Sequence, residues 1–180
     1  MGTSDGFEGG MKMKEIDFKE AMAPLTECLD KNGVFLTVAG EPANTMTIGW
    51  ATIGSSWHKP VVMALVRPQR HSFSLMEQAE DFTISIPTKN PLKAELVFAG
   101  TKSGRDFDKF DGHGLTAAPS RKVKAPIVAE CGLHLECRIV HRQMLAGDEM
   151  SDDVNEHAYP QRDYHKMYFG EIVACYSTDE

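Results

Sequence analysis

Asn44-Thr45-Met46-Thr47-Ile48-Gly49-Trp50, running on into Ala51-Thr52-Ile53-Gly54, is the stretch that decides how this chain folds. Its Thr, Ile, Met and Trp suit a pleated strand. Met46, Ile48 and Trp50 fall on one face, and Thr45, Thr47 and Gly49 on the other. A strand with hydroxyls and bare backbone on one side can hold a flat polar ligand, and Gly49 and Gly54 allow a bulge or a close approach. A second stretch bears on the same ligand. The continuous apolar run 61–66 ends in Arg67-Pro68-Gln69-Arg70-His71-Ser72, where a helix is expected to begin. Basic side chains and free amides at a helix start make an anion site. Together the two stretches predict a ligand with its ring on the first strand and its anionic end at the close of the second.

Outward from there, the rest of the chain reads as mainly β. Strands are expected at 34–39, 44–53, 61–66, 81–86, 115–118, 127–141 and 168–176. Helices are expected at 24–33, at 72–80 with Ser74 and Glu77 at capping-box spacing, and from Asn90-Pro91 to Gly100. A short helical turn should open at Ser103, with Ser103 as its cap and Asp106 at the third position. The polar, acidic segment 147–164 reads as a surface loop. Six or seven strands in succession favour an antiparallel barrel or sandwich over a doubly wound parallel sheet.

Composition narrows the function. A chain of 180 residues suits one domain, assigned to 14–180, with 1–13 read as a flexible leader. No apolar run approaches the roughly 20 residues that cross a bilayer, so no membrane partner is expected. A formal net charge of -7 disfavours nucleic acid. Cys28, Cys131, Cys137 and Cys175 form no C-x-x-C pair, which suggests reduced thiols in the cytoplasm. Cys131 and Cys137 share a strand face with Leu133 and Leu135 and read as core thiols. The histidines lie at no zinc spacing, so no metal is assigned. Gly112-His113-Gly114 lacks the third glycine of a dinucleotide fingerprint, and neither a Walker A motif nor G-x-S-x-G occurs.

The stretch 44–54, followed by Pro60-Val61-Val62-Met63-Ala64-Leu65-Val66-Arg67-Pro68-Gln69-Arg70-His71-Ser72, resembles the flavin reductase-like family of FMN-binding split β-barrels, and within it the flavoredoxin branch. Three further stretches agree in order: Lys102-Ser103-Gly104-Arg105-Asp106-Phe107-Asp108-Lys109-Phe110, Pro126-Ile127-Val128-Ala129-Glu130-Cys131, and 165–173. The resemblance covers about residues 35–176. It implies a split barrel with short inserted helices and FMN on the barrel wall. Backbone groups of Asn44, Thr45, Met46 and Thr47 would reach the isoalloxazine edge. Arg67, Arg70, His71 and Ser72 would handle the phosphate and ribityl chain. Lys102, with Ser103 and Arg105, would add a second polar contact.

The implied activity is transfer of electrons, as hydride from NADH or NADPH, onto FMN and onward to a flavin, metal or protein acceptor. A homodimer is expected, because a split barrel leaves edges and a half-open site. The alternatives are an electron carrier without a nicotinamide site and a non-catalytic FMN-binding module. Simpler assignments stand beside these: Trp50 as a core anchor, Arg105 and Asp108 as a surface ion pair, and the segment 148–163 as a solvated loop.

Overall fold

The apolar alternation does yield strands, and their pairing order explains why they close on themselves. The structure, a computed structural model, describes residues 12–178. Seven strands carry the sheet: β2 (Val34–Val38), β3 (Asn44–Ile48), β4 (Ala51–Ser56), β5 (Lys59–Val66), β6 (Asp81–Ile86), β9 (Leu133–Met144) and β10 (Lys166–Ser177). Two-residue strands complete the set: β1 (Lys14–Glu15) against β10, and the hairpin β7 (Ala117–Ala118) with β8 (Ile127–Val128). The order is β3-β2-β6-β9-β10-β5-β4, with every pair antiparallel. β3 and β4 stand at opposite ends of that order, yet only Gly49 and Trp50 separate them in the chain. The sheet must therefore curl until its ends meet, which makes a barrel with a split beside β3.

The inside of the barrel is filled by the expected faces. Leu36, Met46, Ile48, Val62, Phe82, Ile84, Leu135 and Cys137 form one buried cluster, capped by Leu25 and Met76. Those caps come from α1 (Met22–Leu29) and α2 (His71–Gln78). A second apolar cluster lies outside the barrel wall. Phe35 of β2 packs there with Leu96 and Ala99 of α3 (Lys93–Thr101), and with Leu115, Val128 and Cys131. β2 is consequently buried along its whole length. Gly170 marks a register shift between β10 and β9, and a Cβ there would lie 2.7 Å from both Cys137 Cβ and Phe82 Cζ. The strand bends where core side chains need its backbone close.

Several expectations are corrected. The strand 44–53 is two strands: β3 pairs with β2, then the chain turns at Gly49-Trp50 and β4 pairs with β5. Trp50 is 45% exposed and anchors no core. The strand 127–141 is likewise broken, into β8, a turn and β9, so Cys131 sits in the outer cluster while Cys137 sits inside the barrel. Both remain buried.

The first helix starts earlier than expected. Asp17 and Glu20 form a reciprocal capping box on the short helix Phe18–Ala21, and α1 follows with Pro24 in its first turn, where no intrahelical N–H bond is lost. The box expected from Ser74 and Glu77 does not form. Arg70 is the N-cap of α2, and Glu77 is bonded to Lys166 and Tyr168 instead. Within the supposed loop 147–164, Ser151 caps a helix α4 (Asp152–Ala158). Residues 1–11 of the expected leader lie outside the described residues.

Candidate functional site

The barrel's split leaves a cleft along the edge of β3. Lys109 Nζ donates to the Thr45 carbonyl at 2.8 Å, so that carbonyl points away from β2. Alternate residues of an antiparallel strand turn both backbone groups to the same side, so Thr47 also presents its N–H and C=O to the open edge. The threonine hydroxyls do not face a ligand. Thr45 Oγ1 accepts from Thr37 at 2.9 Å, and Thr47 Oγ1 donates to Leu96 O at 2.6 Å, under the cover of α3. It is the edge of β3 that borders the cleft.

Two adjoining hollows make up the cleft. The first, about 250 Å³, is lined by Met46, Thr47, Ile48, Gly49, Trp50, Leu65, Arg67, Arg70, Gly100 and His165. The second, about 130 Å³, is lined by Met46, Gln69, Arg70, His71, Ser72, Thr101, Lys102, Ser103, Gly104, Arg105 and Lys109. Met46 and Arg70 belong to both.

The first hollow suits a flat ring. Its outer wall is aromatic: Trp50 lies 5.1 Å from the His165 ring and 6.1 Å, edge-on, from that of Tyr159. Tyr159 and His165 are joined through the hydroxyl and Nδ1 at 2.9 Å. Arg67 is tied into this wall rather than into the second hollow. It pairs with Asp163, donates to Ala158 O at 3.2 Å, and lies over the Tyr159 ring. α4 and the segment after it are thereby fastened to the cleft.

Burial, and then the positive charge of Arg67, push the His165 imidazole down to about 4, with Asp163 opposing. The unfolded chain takes up this proton near pH 6.5, whereas the folded chain refuses it until about pH 4. Stability is therefore expected to fall as pH drops through that window, by about 2 kcal/mol between pH 7 and pH 5. Urea midpoints at the two pH values check this, and His165→Asn should shrink the difference.

The second hollow suits an anion. It sits at the start of α2, whose N-cap residue Arg70 makes no side-chain cap bond; the Phe73 amide donates to Arg70 O at 3.0 Å, which leaves the amides of His71 and Ser72 for a ligand. Arg70 donates to Gly100 O at 2.6 Å from a half-buried position. His71 is pushed below its ordinary value by burial, then by Arg105 and Lys109. Lys109 is 3% exposed and is pushed down to about 8 by burial and then by Arg70. Among the described residues, no carboxylate pairs with Arg70, Lys102, Arg105 or Lys109. In a chain of net charge -7, this is a concentrated and uncompensated positive potential.

The wall between the two stretches is tightly built. Asn44 Nδ2 donates to Ser72 Oγ at 2.7 Å, tying the start of β3 to the start of α2. Gly104 lies flat against Asn44 and His71, since a Cβ there would overlap Asn44 Oδ1 and approach His71 Cδ2 to 2.7 Å. Of the residues singled out in the sequence, Met46, Thr47, Arg67, Arg70, His71, Ser72, Lys102 and Ser103 line the cleft. Asn44 and Thr45 stand behind its wall and are buried. Arg105 lines the second hollow without pairing to Asp108, which accepts from the Phe110 amide instead. Ser103 accepts from the Arg105 amide at 3.2 Å in a turn rather than capping a helix.

Lys109, Trp50 and His165 are additions that the sequence did not assign to the site. Lys109 and His165 fall within stretches that carry the resemblance, but nothing local marks them as buried.

The chain and its fold have relatives among known proteins. An uncharacterized protein of Archaeoglobus fulgidus is 31% identical over 163 residues, covering 91% of this chain and 78% of its own. The flavoredoxin of Desulfovibrio vulgaris (Miyazaki F) is similar in structure with a TM-score of 0.63 and 26% identity, over 82% of this chain and 70% of that one. An FMN-binding domain of a flavin reductase-like enzyme from Shewanella baltica shares the fold, with a TM-score of 0.64 at 16% identity, over 93% of this chain and 78% of that one. The family model described as the flavin reductase like domain matches residues 31–180. A split barrel with this pairing order, matched over most of its length, belongs to the flavin reductase-like family.

Proposed function

We propose that the chain is an FMN-dependent oxidoreductase which takes hydride from NADH or NADPH and passes electrons to a flavin, a metal or a protein acceptor. One observation carries this: an open strand edge with an aromatic outer wall runs directly into an uncompensated cationic hollow at a helix start. A flavin mononucleotide has the matching parts, a flat polar ring and a phosphate, and the two hollows adjoin through Met46 and Arg70.

In this assignment Arg70, His71, Ser72, Lys102 and Ser103 hold the phosphate and the chain leading to it. Thr47 offers backbone groups to the ring edge, and Met46 and Trp50 pack beside it. Asn44 and Thr45 act one step back, as the braces that keep β3 and α2 together. Bound FMN supplies a ring that accepts hydride and releases electrons. The protein's part is to fix donors and positive charge where negative charge develops on reduction, which favours the reduced form. Arg67 borders the first hollow together with Arg70, and Asp163 fixes the direction of Arg67. No general acid or base is required for ring-to-ring hydride transfer.

A second function, an electron carrier without a nicotinamide site, draws support from the 26% identity to a flavoredoxin. Anaerobic mixing with NADH or NADPH separates the two. Bleaching of the yellow protein by a nicotinamide is expected for the oxidoreductase, and bleaching by dithionite alone indicates the carrier. A colourless protein that ignores added FMN would overturn both. The protein is assigned to the cytoplasm, where its four thiols would stay reduced, and to a homodimer in which a second copy covers the half-exposed Trp50 side of the cleft. No helix among the described residues is long and apolar enough to cross a membrane.

A further inference from the structure

Lys109 is harder to explain than its neighbours. Its ammonium donates to Thr45 O and Ala99 O, each at 2.8 Å, and so links β3 to the end of α3. As a strut alone this is an expensive choice. A neutral amide could bridge two carbonyls, whereas a buried ammonium without a carboxylate carries an unrelieved desolvation cost. An ammonium has three N–H groups, and two are used. Lys109 also lines the hollow at the start of α2, where an anion would have the third within reach.

The groups around it sharpen the point. From the start of α2 it meets the N-cap residue Arg70, a source of repulsion, and His71. From the segment after α3 the same hollow receives Lys102 and Arg105. β3 and α3 offer it backbone carbonyls. Asp108, its neighbour in the chain, is exposed and bonded to the Phe110 amide. Among the described residues, the charges gathered around Lys109 are therefore positive, and an incoming phosphate would supply the opposite charge.

We propose that Lys109 is a further ligand of the flavin's phosphate, and that the phosphate and the proton on Lys109 bind as a linked pair. This rests on the FMN-binding function proposed above. In the free protein the proton is loosely held, because burial and Arg70 bring the lysine down to about 8. A phosphate against the ammonium raises its proton affinity. Below about pH 8 the proton is already in place; above it, FMN binding must draw one from the solvent onto Lys109. The phosphate's own second ionisation, near pH 6, is largely over by pH 7 and does not enter.

The experiment is a calorimetric titration of the full-length protein with FMN and, separately, with riboflavin, from pH 7 to pH 9. Each is run in two buffers of different ionisation enthalpy, so that proton uptake is read directly. FMN affinity should weaken by about tenfold between pH 7 and pH 9, with about three-quarters of a proton taken up at pH 8.5. Riboflavin, which lacks the phosphate, should show neither effect. Lys109→Arg keeps a charge that does not titrate in this range, so whatever FMN affinity the variant has should lose its pH slope. Equal slopes for FMN and riboflavin, or FMN binding without proton uptake, would overturn the linkage while leaving the FMN-binding function intact. A slope that persists in Lys109→Arg places the proton on another group and overturns it as well. No FMN binding at any pH would remove the function and the linkage together.

Discussion

Arg70→Ala is expected to weaken FMN binding by about 1.5–3 kcal/mol, roughly ten- to 150-fold, the scale of a lost charged hydrogen bond. Arg70 borders both hollows, and its guanidinium is half buried beside the open amides of α2. One of its N–H groups is held by Gly100 O, which fixes the direction of the planar fork. Riboflavin provides the control. If Arg70 acts on the phosphate, riboflavin affinity changes little, and the ratio of FMN to riboflavin affinity collapses in the variant. The variant also removes the repulsion that loosens the Lys109 proton, so the pH at which FMN affinity begins to fall should move upward. Arg70→Lys, which keeps charge without the fork, should lie between the two proteins. Unchanged FMN affinity in Arg70→Ala, measured by fluorescence titration, would put the phosphate elsewhere.

What the sequence reveals and conceals about this site follows from the range of the interactions. The turn at Arg70-His71-Ser72 is legible because it is local: an apolar strand, a basic turn and a helix start follow one another in a dozen residues. The strand 81–86 is equally plain, since its alternation and the proline after it lie next to each other. The break between β3 and β4 is not legible. Alternation runs unbroken from Met46 through Trp50, and only the change of partner from β2 to β5 shows that the strand has ended. Sequence period reports which face a residue occupies and says nothing of the strand beside it.

Two other omissions have different causes. α4 has no apolar stripe, so hydrophobic periodicity passes over it. Its signals were the Ser151 cap, Asp152 and Asp153 in the first turn, and His157 in the last. Lys109 stands among Arg105, Asp106 and Asp108, and a lysine in such company reads as exposed. Its burial is set by β3 and α3, which are remote in sequence and close over it only once the barrel has formed.

Glu136→Ala is expected to be the most destabilising single change considered, by about 3 kcal/mol, with FMN affinity unchanged in the protein that remains folded. Glu136 lies on β9 on the face turned away from the barrel interior, and it is fully buried. Its Oε1 accepts from the Arg121 amide and from the Tyr176 hydroxyl, both at 2.7 Å, and its Oε2 accepts from the Lys122 amide at 2.6 Å. The carboxylate thus stands in for a strand that the segment 119–126 does not form. Asp81 does the same for Lys124 and Ala125, at 3.1 and 2.9 Å. Alanine would leave two backbone donors and a buried hydroxyl without an acceptor, and the loss exceeds that of any one bond because all three depend on the same group. Tyr176→Phe removes one of the three and should cost about 1 kcal/mol. None of these groups lines the cleft, so a fall in the urea midpoint with flavin affinity preserved is the expected pattern. An unfolding free energy within about 0.5 kcal/mol of the parent would mean that water replaces the carboxylate and that the segment is not held by it.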